Sequence, residues 1–151
     1  MEIQNIFGKG MDEMIYTNRP GLGVRVLASF LDFIIVATMI GAVIYLLTGA
    51  FSLNFANGVA WQSIYTLYLM LIPIIWSGYV VGKRLCRIRV KRLDDGNVTL
   101  SNMFMREIVG YYVIGTLTFG VSIIISAGMI MFREDKRGIH DFVGGTYVAR
   151  S

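Results

Sequence analysis

Asp32 is the residue of this 151-residue sequence whose chemistry is hardest to explain by packing alone. An α-helix beginning near Leu22 carries Asp32 roughly 15 Å into an apolar segment, close to the middle of a bilayer. A carboxylate at that depth costs at least ~2.5–3.5 kcal/mol, so such acids face the protein interior and bind a proton, a cation or a basic side chain. The sequence therefore predicts either a cation or proton site at Asp32 or a buried ion pair that fixes helix packing.

Arg25 precedes Asp32 by two helical turns, so both side chains project from one helix face about 10 Å apart. Near the start of the helix, Arg25 either anchors to lipid phosphate or lines a polar seam with Asp32. Asp141 follows the last apolar stretch and is a predicted partner of Arg25 if the tail returns to the same side. We therefore predict ion binding by Asp32, Arg25 and Asp141.

Three further polar residues are predicted to support this site. Arg106 is the expected positive partner of Asp32, or of its neighbour Glu107. His140 adjoins Asp141, and an imidazole titrates near neutral pH, so His140 is a candidate for assisting proton transfer. The alternative is a hydrogen-bonding residue in a polar tail.

The composition identifies the solvent in which these residues act. Hydrophobic residues make up 55% of the chain and charged residues 16%, and the mean hydropathy is +0.61, whereas a soluble domain has about 25% charged residues. No charged residue lies between Asp32 and Lys83, or between Glu107 and Arg133. These features exclude an ordinary water-soluble globule and indicate a single domain in a lipid bilayer.

Several function classes are not expected. The net charge of +4 comes from basic residues beside apolar segments, a pattern typical of membrane orientation rather than nucleic-acid binding. The single cysteine, Cys86, and the single histidine cannot form an internal disulfide or a Cys/His metal cluster. No arrangement of an activated serine, cysteine or carboxylate pair suggests catalysis. We therefore expect no enzyme activity, cofactor, metal or nucleic-acid partner.

The predicted fold class is an all-α integral membrane protein with two full transmembrane helices, a third apolar segment that is broken or hairpin-like, and a small cytoplasmic β-hairpin. One domain is expected, divided into a cytoplasmic N-terminal segment (1–20), a first transmembrane helix (22–47), a second (59–82), the cytoplasmic hairpin (83–101), an interfacial helix with a broken third span (102–133) and a cytoplasmic tail (134–151).

The second predicted helix contains Pro73, which should kink it. It also contains Gly78 and Gly82 at the spacing that lets another helix approach closely, although membrane helices tolerate glycine in general.

Charge counting favours a third segment that folds back. Lys and Arg number three in residues 1–25, seven in 83–107 and four in 133–151, which accounts for all 14. Because basic residues stay on the cytoplasmic side, one crossing by residues 108–132 would export the last four. Twenty-five uncharged residues suit a single crossing by length, so we expect a compromise: a helix over 102–118, a break near Phe119–Gly120, and a helix over 121–133.

Residues 83–101 carry the signals of the hairpin. Polar and apolar residues alternate over Arg87–Lys91, and a turn sequence at Asp94–Asn97 precedes Val98–Leu100. Thr99 or Ser101 is a predicted cap for the helix that follows. The C-terminal residues 146–149 are a candidate third strand, provided that both segments lie on one side.

These motifs, in order, resemble the bacterial RDD family, which is named for one arginine and two aspartates that fall here on Arg25, Asp32 and Asp141. The resemblance is carried by Arg25-x-x-Ala28-x-x-x-Asp32, by Gly82-Lys83-Arg84-Leu85 with Ile88-Arg89-Val90 and the Asp95-Gly96 turn, by Arg106, and by Ile139–Val148. It covers nearly the whole chain after residue 20; a position that is often Leu-Gly or Leu-His reads Ile139-His140. The resemblance implies a multi-pass membrane protein that is either a sodium/proton or related cation exchanger or an accessory membrane subunit.

Two functional hypotheses follow. In the first, a homo-oligomer in the bacterial plasma membrane, with its N-terminus in the cytoplasm, exchanges a monovalent cation for a proton at Asp32. In the second, the Arg/Asp network is structural, and the basic residues Arg87, Arg89 and Lys91 or the helix faces dock a partner membrane protein. A simpler role for these cations is orientation and contact with anionic lipid.

Overall fold

The computed structural model describes residues 19–49 and 58–151. The predicted N-terminal segment, up to residue 18, and most of the loop between the first two helices lie outside the described residues. The described chain is mostly helical, with one two-stranded sheet.

Helix α1 (Leu22–Thr48) follows the Pro20-Gly21 entry and ends at Gly49, whose left-handed backbone (φ 70°) lets its N–H bond the carbonyl of Tyr45. Its buried residues form a narrow stripe, while large apolar side chains such as Leu46 (81% exposed) cover the rest. Among the described residues, α1 alone is long and apolar enough to cross a membrane.

Helix α2 extends over Val59–Ile75, whereas the sequence predicted a span over 59–82. The prediction of its C-terminal end is therefore wrong. Ser77 (φ 51°) and Gly78 (φ 95°) adopt left-handed backbone, and the Gly78 N–H bonds the carbonyl of Pro73, so the chain leaves the helix. The 17 residues of α2 span about 26 Å, less than the ~30 Å of a hydrocarbon core. We expected two full-length transmembrane helices. Among the described residues, α1 is long enough to cross a membrane and α2 is too short.

The third apolar segment is a broken helical hairpin. Helix α4 (Leu100–Phe104) continues through a π-helical stretch (Met105–Val113) into α5 (Ile114–Leu117), and α6 (Val121–Phe132) follows a turn. Thr99 caps α4 reciprocally with Asn102. Phe119 (φ 51°) and Gly120 (φ 84°) form the break where the sequence placed it.

Strand β1 (Ile88–Arg92) does not form the predicted hairpin with residues 98–100. It pairs antiparallel with the C-terminal strand β2 (Thr146–Arg150), with Val90 opposite Val148. Val98 is instead buried against Val90 and Met103, and Thr99 begins α4. The local hairpin fails because residues 98–100 are needed by the core and the helix cap, and the distant C-terminal segment supplies the partner strand.

Two short helices complete the described chain: α3 (Val81–Leu85) lies before β1, and α7 (Ile139–Val143) lies before β2. Helix α3 packs against α1, whereas α7 packs against the π-helical stretch and α6. Ala28 of α1 contacts Ile88 and Val148 of the sheet. The polar elements therefore gather around one end of the helices.

Candidate functional site

Asp32 lies fully buried at the contact between α1 and α3. Its Oδ1 accepts the Gly82 N–H at 2.7 Å and the Tyr68 hydroxyl at 3.0 Å. Its Oδ2 is buried without a hydrogen-bond partner among the described residues. The carboxylate is thus held by one oxygen and has the other free to accept a ligand.

Gly82 makes this contact possible. A Cβ at this position would lie 2.2 Å from the carbonyl oxygen of Ala28 and 2.7 Å from the Asp32 nitrogen, both of them backbone atoms of α1. Gly78 faces a different element, because its carbonyl accepts the Val90 N–H and a Cβ would meet the Val90 carbonyl at 2.0 Å. The two glycines therefore approach α1 and β1 separately, and the prediction that they pack as one helical face is wrong.

Asp141 is the centre of the ion-pair network. Arg25 donates to its Oδ2 at 2.7 Å, Arg106 donates to its Oδ1, and the Gly138 N–H bonds Oδ2 at 3.2 Å. Arg25 also bonds the carbonyls of Pro20 and Lys136. The predicted return of Asp141 to Arg25 is observed, and it closes the tail onto the start of α1.

Arg106 pairs with Glu107 at 3.2 Å and with Asp141, and it donates to Thr146 at 3.1 Å. The prediction that it is a partner of Glu107 is therefore confirmed, whereas its pairing with Asp32 is not observed. Asp32 is bonded instead at the α1–α3 contact, where the Gly82 N–H and the Tyr68 hydroxyl both donate to its Oδ1.

His140 is 4% exposed and stacks on Tyr111 with ring centroids 4.2 Å apart. Burial lowers the pKa of His140 to about 3, despite the opposing effect of Asp141. Burial therefore favours the neutral imidazole, because the residue that we expected in a polar tail lies in the core, and a role of His140 in proton transfer stays a prediction.

Lys83 is a site residue that sequence reasoning missed. It is 8% exposed and has neither a hydrogen bond nor an ion pair within the part of the chain that the structure describes. Burial, with a contribution from Arg106, lowers the pKa of Lys83 to about 8. The available signal was its position directly after Gly82, at the end of a long apolar stretch.

Tyr68, Arg137 and Thr146 were also missed. Tyr68 binds Asp32 and accepts the Val81 N–H, while Arg137 donates to the Thr146 carbonyl and lies 3.9 Å from the Phe142 ring centroid. Their ordinary polar types carry no spacing signal, and only folding brings them to the buried charges.

A cavity of about 710 Å³ lies between α1, α2, the π-helical stretch and α6, and some of the site residues line it. Its apolar wall includes Val26, Phe30, Leu69 and Ile123. Its charged lining and its histidine are Arg25, Asp32, Lys83, Arg106, Glu107 and His140, and three tyrosines also line it: Tyr65, Tyr111 and Tyr112. No group of three or more His, Cys, Asp or Glu side chains suited to a metal ion occurs among the described residues.

Comparison with known families identifies the family of this chain. A family model described as the RDD family matches residues 19–145. The chain belongs to the RDD family. It is 39% identical over 128 residues to the protein named uncharacterized protein YckC of Bacillus subtilis (strain 168), covering 85% of this chain and 82% of that one. No solved structure gives a significant match.

Arg25, Asp32 and Asp141, the three residues that the resemblance singled out, divide into two sites here. Arg25 and Asp141 form a direct ion pair, and Arg106 completes it. Asp32 stands apart, bound to Gly82 and Tyr68. At the first site, both arginines and the carboxylate bond a charged partner. At the second site, Oδ2 of Asp32 has no hydrogen-bond partner within the described parts of the chain.

Proposed function

We propose that this RDD protein is a multi-pass protein of the bacterial plasma membrane that exchanges a monovalent cation for a proton at Asp32. The observation that carries the proposal is the Oδ2 oxygen of Asp32, which is buried and lacks a hydrogen-bond partner among the described residues, in a carboxylate that lines a cavity. A buried acceptor without a partner is unfavourable, so binding of a proton or a small cation there is favoured.

The exposed surface supports the membrane location. Large apolar side chains of α1 and α6, including Leu47 and Ile124, are more than 70% exposed. A soluble monomer rarely exposes so much apolar surface, and lipid is the solvent in which it is stable. The start of α1, α3, the two-stranded sheet and the segment after α6 form a polar layer, which contains most of the described Lys and Arg residues. Because basic residues stay on the cytoplasmic side, we place this polar layer, together with both termini, in the cytoplasm.

In this proposal, the exchanged cation or proton reaches Asp32 through the cavity. Asp32 shares the lining with Lys83 and Glu107, whose opposite charges limit the net charge of the site. The Arg25–Asp141–Arg106 network holds the tail against α1, and in this proposal it supports the cavity without itself carrying the ion. A homo-oligomer would cover part of the remaining apolar helix surface.

Cation-driven proton movement by purified protein in vesicles tests the proposal. Asp32→Asn keeps an oxygen that accepts the Gly82 N–H but removes the titratable charge, so exchange should fall to the level of protein-free vesicles. Asp94→Asn is the matched control, because Asp94 is exposed on the turn after β1. Wild-type exchange rates in Asp32→Asn would refute the carrier role.

An accessory subunit is the second candidate. Arg25, Arg106 and Asp141 bond one another, and Arg25 also bonds a backbone carbonyl. Side chains whose polar groups are already bonded within the protein favour a structural role for this network. Purification in mild detergent distinguishes the two: a stoichiometric partner protein, together with no exchange by the purified chain, would support this second function.

A further inference from the structure

Two groups of opposite charge remain unsatisfied in the cavity. Asp32 is fully buried with a free Oδ2, and Lys83 is 8% exposed without a protein acceptor among the described residues. Lys83 adjoins Gly82, whose N–H bonds Asp32. Both residues line the same cavity. The site therefore offers one cation and one anion to a ligand.

The other cationic side chains of the lining are already used. Arg25 donates to Asp141 and to two backbone carbonyls. Arg106 donates to Glu107, Asp141 and Thr146. A ligand that binds Lys83 and Asp32 therefore needs no rearrangement of the ion-pair network.

The exposed part of the cavity lining is largely apolar. Val26, Phe30 and Ile123 line the cavity, yet they are 58%, 59% and 53% exposed. These three side chains of α1 and α6 would contact lipid, and the polar residues Gln62 and Thr116 of the lining are exposed beside them. A molecule that enters here needs an apolar portion.

From these observations we propose that the cavity binds one phosphoethanolamine lipid, with its ammonium at Asp32, its phosphate at Lys83 and its acyl chains along Val26, Phe30 and Ile123. A volume of about 710 Å³ lies in the ~300–1,000 Å³ range of small-molecule sites. The inference rests on the membrane location proposed above, and the lipid ammonium would occupy the same Asp32 oxygen that the proposed exchange uses for its cation.

The chemistry of the headgroup makes the assignment specific. A phosphoethanolamine ammonium has N–H donors for Asp32, whereas a phosphocholine headgroup has the same charge and no donor. A phosphoglycerol headgroup has the phosphate and no cation, which leaves Asp32 facing an additional negative charge. A free carboxylate oxygen therefore favours ethanolamine over both.

Native mass spectrometry of the purified full chain with dioleoyl lipids tests the headgroup. We expect one phosphatidylethanolamine per chain, bound about 10- to 100-fold tighter than phosphatidylcholine or phosphatidylglycerol, since phosphatidylcholine lacks the N–H donor for Asp32 and phosphatidylglycerol lacks the cation that pairs with it. Equal binding of the three lipids, or a preference for phosphatidylglycerol, would overturn the proposal. This comparison uses only the wild-type protein.

Soluble phosphoethanolamine distinguishes a lipid from a water-soluble ligand. Added at the concentration of the lipid, it should leave most of the bound lipid in place, because it lacks the apolar portion that contacts the opening. Complete displacement at equal concentration would assign the site to a soluble zwitterion and overturn the lipid assignment.

Two variants locate the bound headgroup. Lys83→Met removes the phosphate partner and should weaken phosphatidylethanolamine binding about tenfold or more, while Asp32→Asn should abolish the preference for phosphatidylethanolamine over phosphatidylcholine. Lys91→Met, in β1 and outside the cavity lining, is the control and should bind as wild type. Thermal unfolding confirms that each variant is folded, and wild-type selectivity in folded Asp32→Asn would contradict the assignment.

The outcome is separable from that of the exchange experiment. A wild-type protein that selects phosphatidylethanolamine but moves no cation would refute the exchange and retain the lipid site. A wild-type protein that exchanges cations without headgroup selectivity would refute the lipid site alone.

Discussion

Asp141 is the buried acid on which the ion-pair network depends. It joins α7 to α1 through Arg25 and to the π-helical stretch through Arg106. Burial by itself would raise the pKa of Asp141, but Arg106 and Arg25 outweigh burial and hold the pKa well below its ordinary value. The carboxylate therefore stays ionised at physiological pH and, together with Glu107, balances the charges of Arg25 and Arg106.

Asp141→Asn should be strongly destabilising. The substitution leaves the Arg25 and Arg106 guanidinium groups buried without their shared anion, which should lower the free energy of unfolding by about 3–5 kcal/mol. Denaturant unfolding of the purified protein in detergent measures the change.

The control for this prediction is Asp94→Asn. Asp94 pairs with Arg92 on the surface, its side chain is 57% exposed, and the loss should be at most about 1 kcal/mol. Equal losses in the two variants would contradict a special role for the Asp141 network.

At the scale of elements, the contact between α1 and α3 determines the environment of Asp32. The backbone of α3 approaches α1 so closely that residue 82 has no room for a side chain. This approach brings the Gly82 N–H to the carboxylate and places Lys83 in the cavity lining. The arrangement around Asp32 is therefore a consequence of one glycine contact.

Gly82→Ala should separate the two helices. The added methyl group meets backbone atoms of Ala28 and Asp32, which cannot rotate away, so the free energy of unfolding should fall by about 1–3 kcal/mol. Cation exchange should fall with it, because Asp32 would lose its backbone donor. Denaturant unfolding and vesicle flux measure the two effects.

Gly128→Ala is the matched control for this change. Gly128 lies within α6, and a Cβ there meets nothing within 4 Å. Alanine favours the helix by up to ~1 kcal/mol, so this variant should be as stable as wild type or more so. A loss equal to that of Gly82→Ala would refute the close-contact explanation.

At the scale of the whole molecule, the tail and the start of α1 form one polar layer. The Arg25–Asp141 ion pair and the pairing of β1 with β2 hold Ser151 beside that layer, and the Ser151 N–H bonds the Arg87 carbonyl. Thr48 lies at the other end of the 27-residue α1. If α1 crosses the bilayer, Ser151 and Thr48 lie on opposite sides of the membrane.

Cysteine accessibility tests this topology. In a Cys86→Ala background, Ser151→Cys should react with a membrane-impermeant thiol reagent from the cytoplasmic side, and Thr48→Cys should react from the opposite side. Intact cells and inside-out vesicles provide the two exposures. Labelling of both positions from one side would contradict a membrane-crossing α1.

The sequence by itself determined features that depend on neighbouring residues. The long apolar α1, the cap at Thr99 and the break at Phe119–Gly120 follow from hydropathy, side-chain hydrogen bonding and left-handed backbone, all of which act over a few residues. The family resemblance likewise follows from ordered local motifs and is confirmed by the family match. The sequence also identified Arg25, Asp32 and Asp141 as unusual, because charge beside long apolar segments is visible without a structure.

Only the tertiary structure decided which charges pair and which remain free. Arg25 and Asp141 are separated by 116 residues, and Arg106 and Asp141 by 35, so their meeting depends on how α1, the π-helical stretch and α7 pack. The same packing buried His140, ended α2 before Gly78 and replaced a local hairpin by a sheet with the C-terminal strand. The physical reason is that a buried charge or strand edge takes whichever partner the packed chain brings within hydrogen-bonding distance, and the residue types alone do not rank those partners.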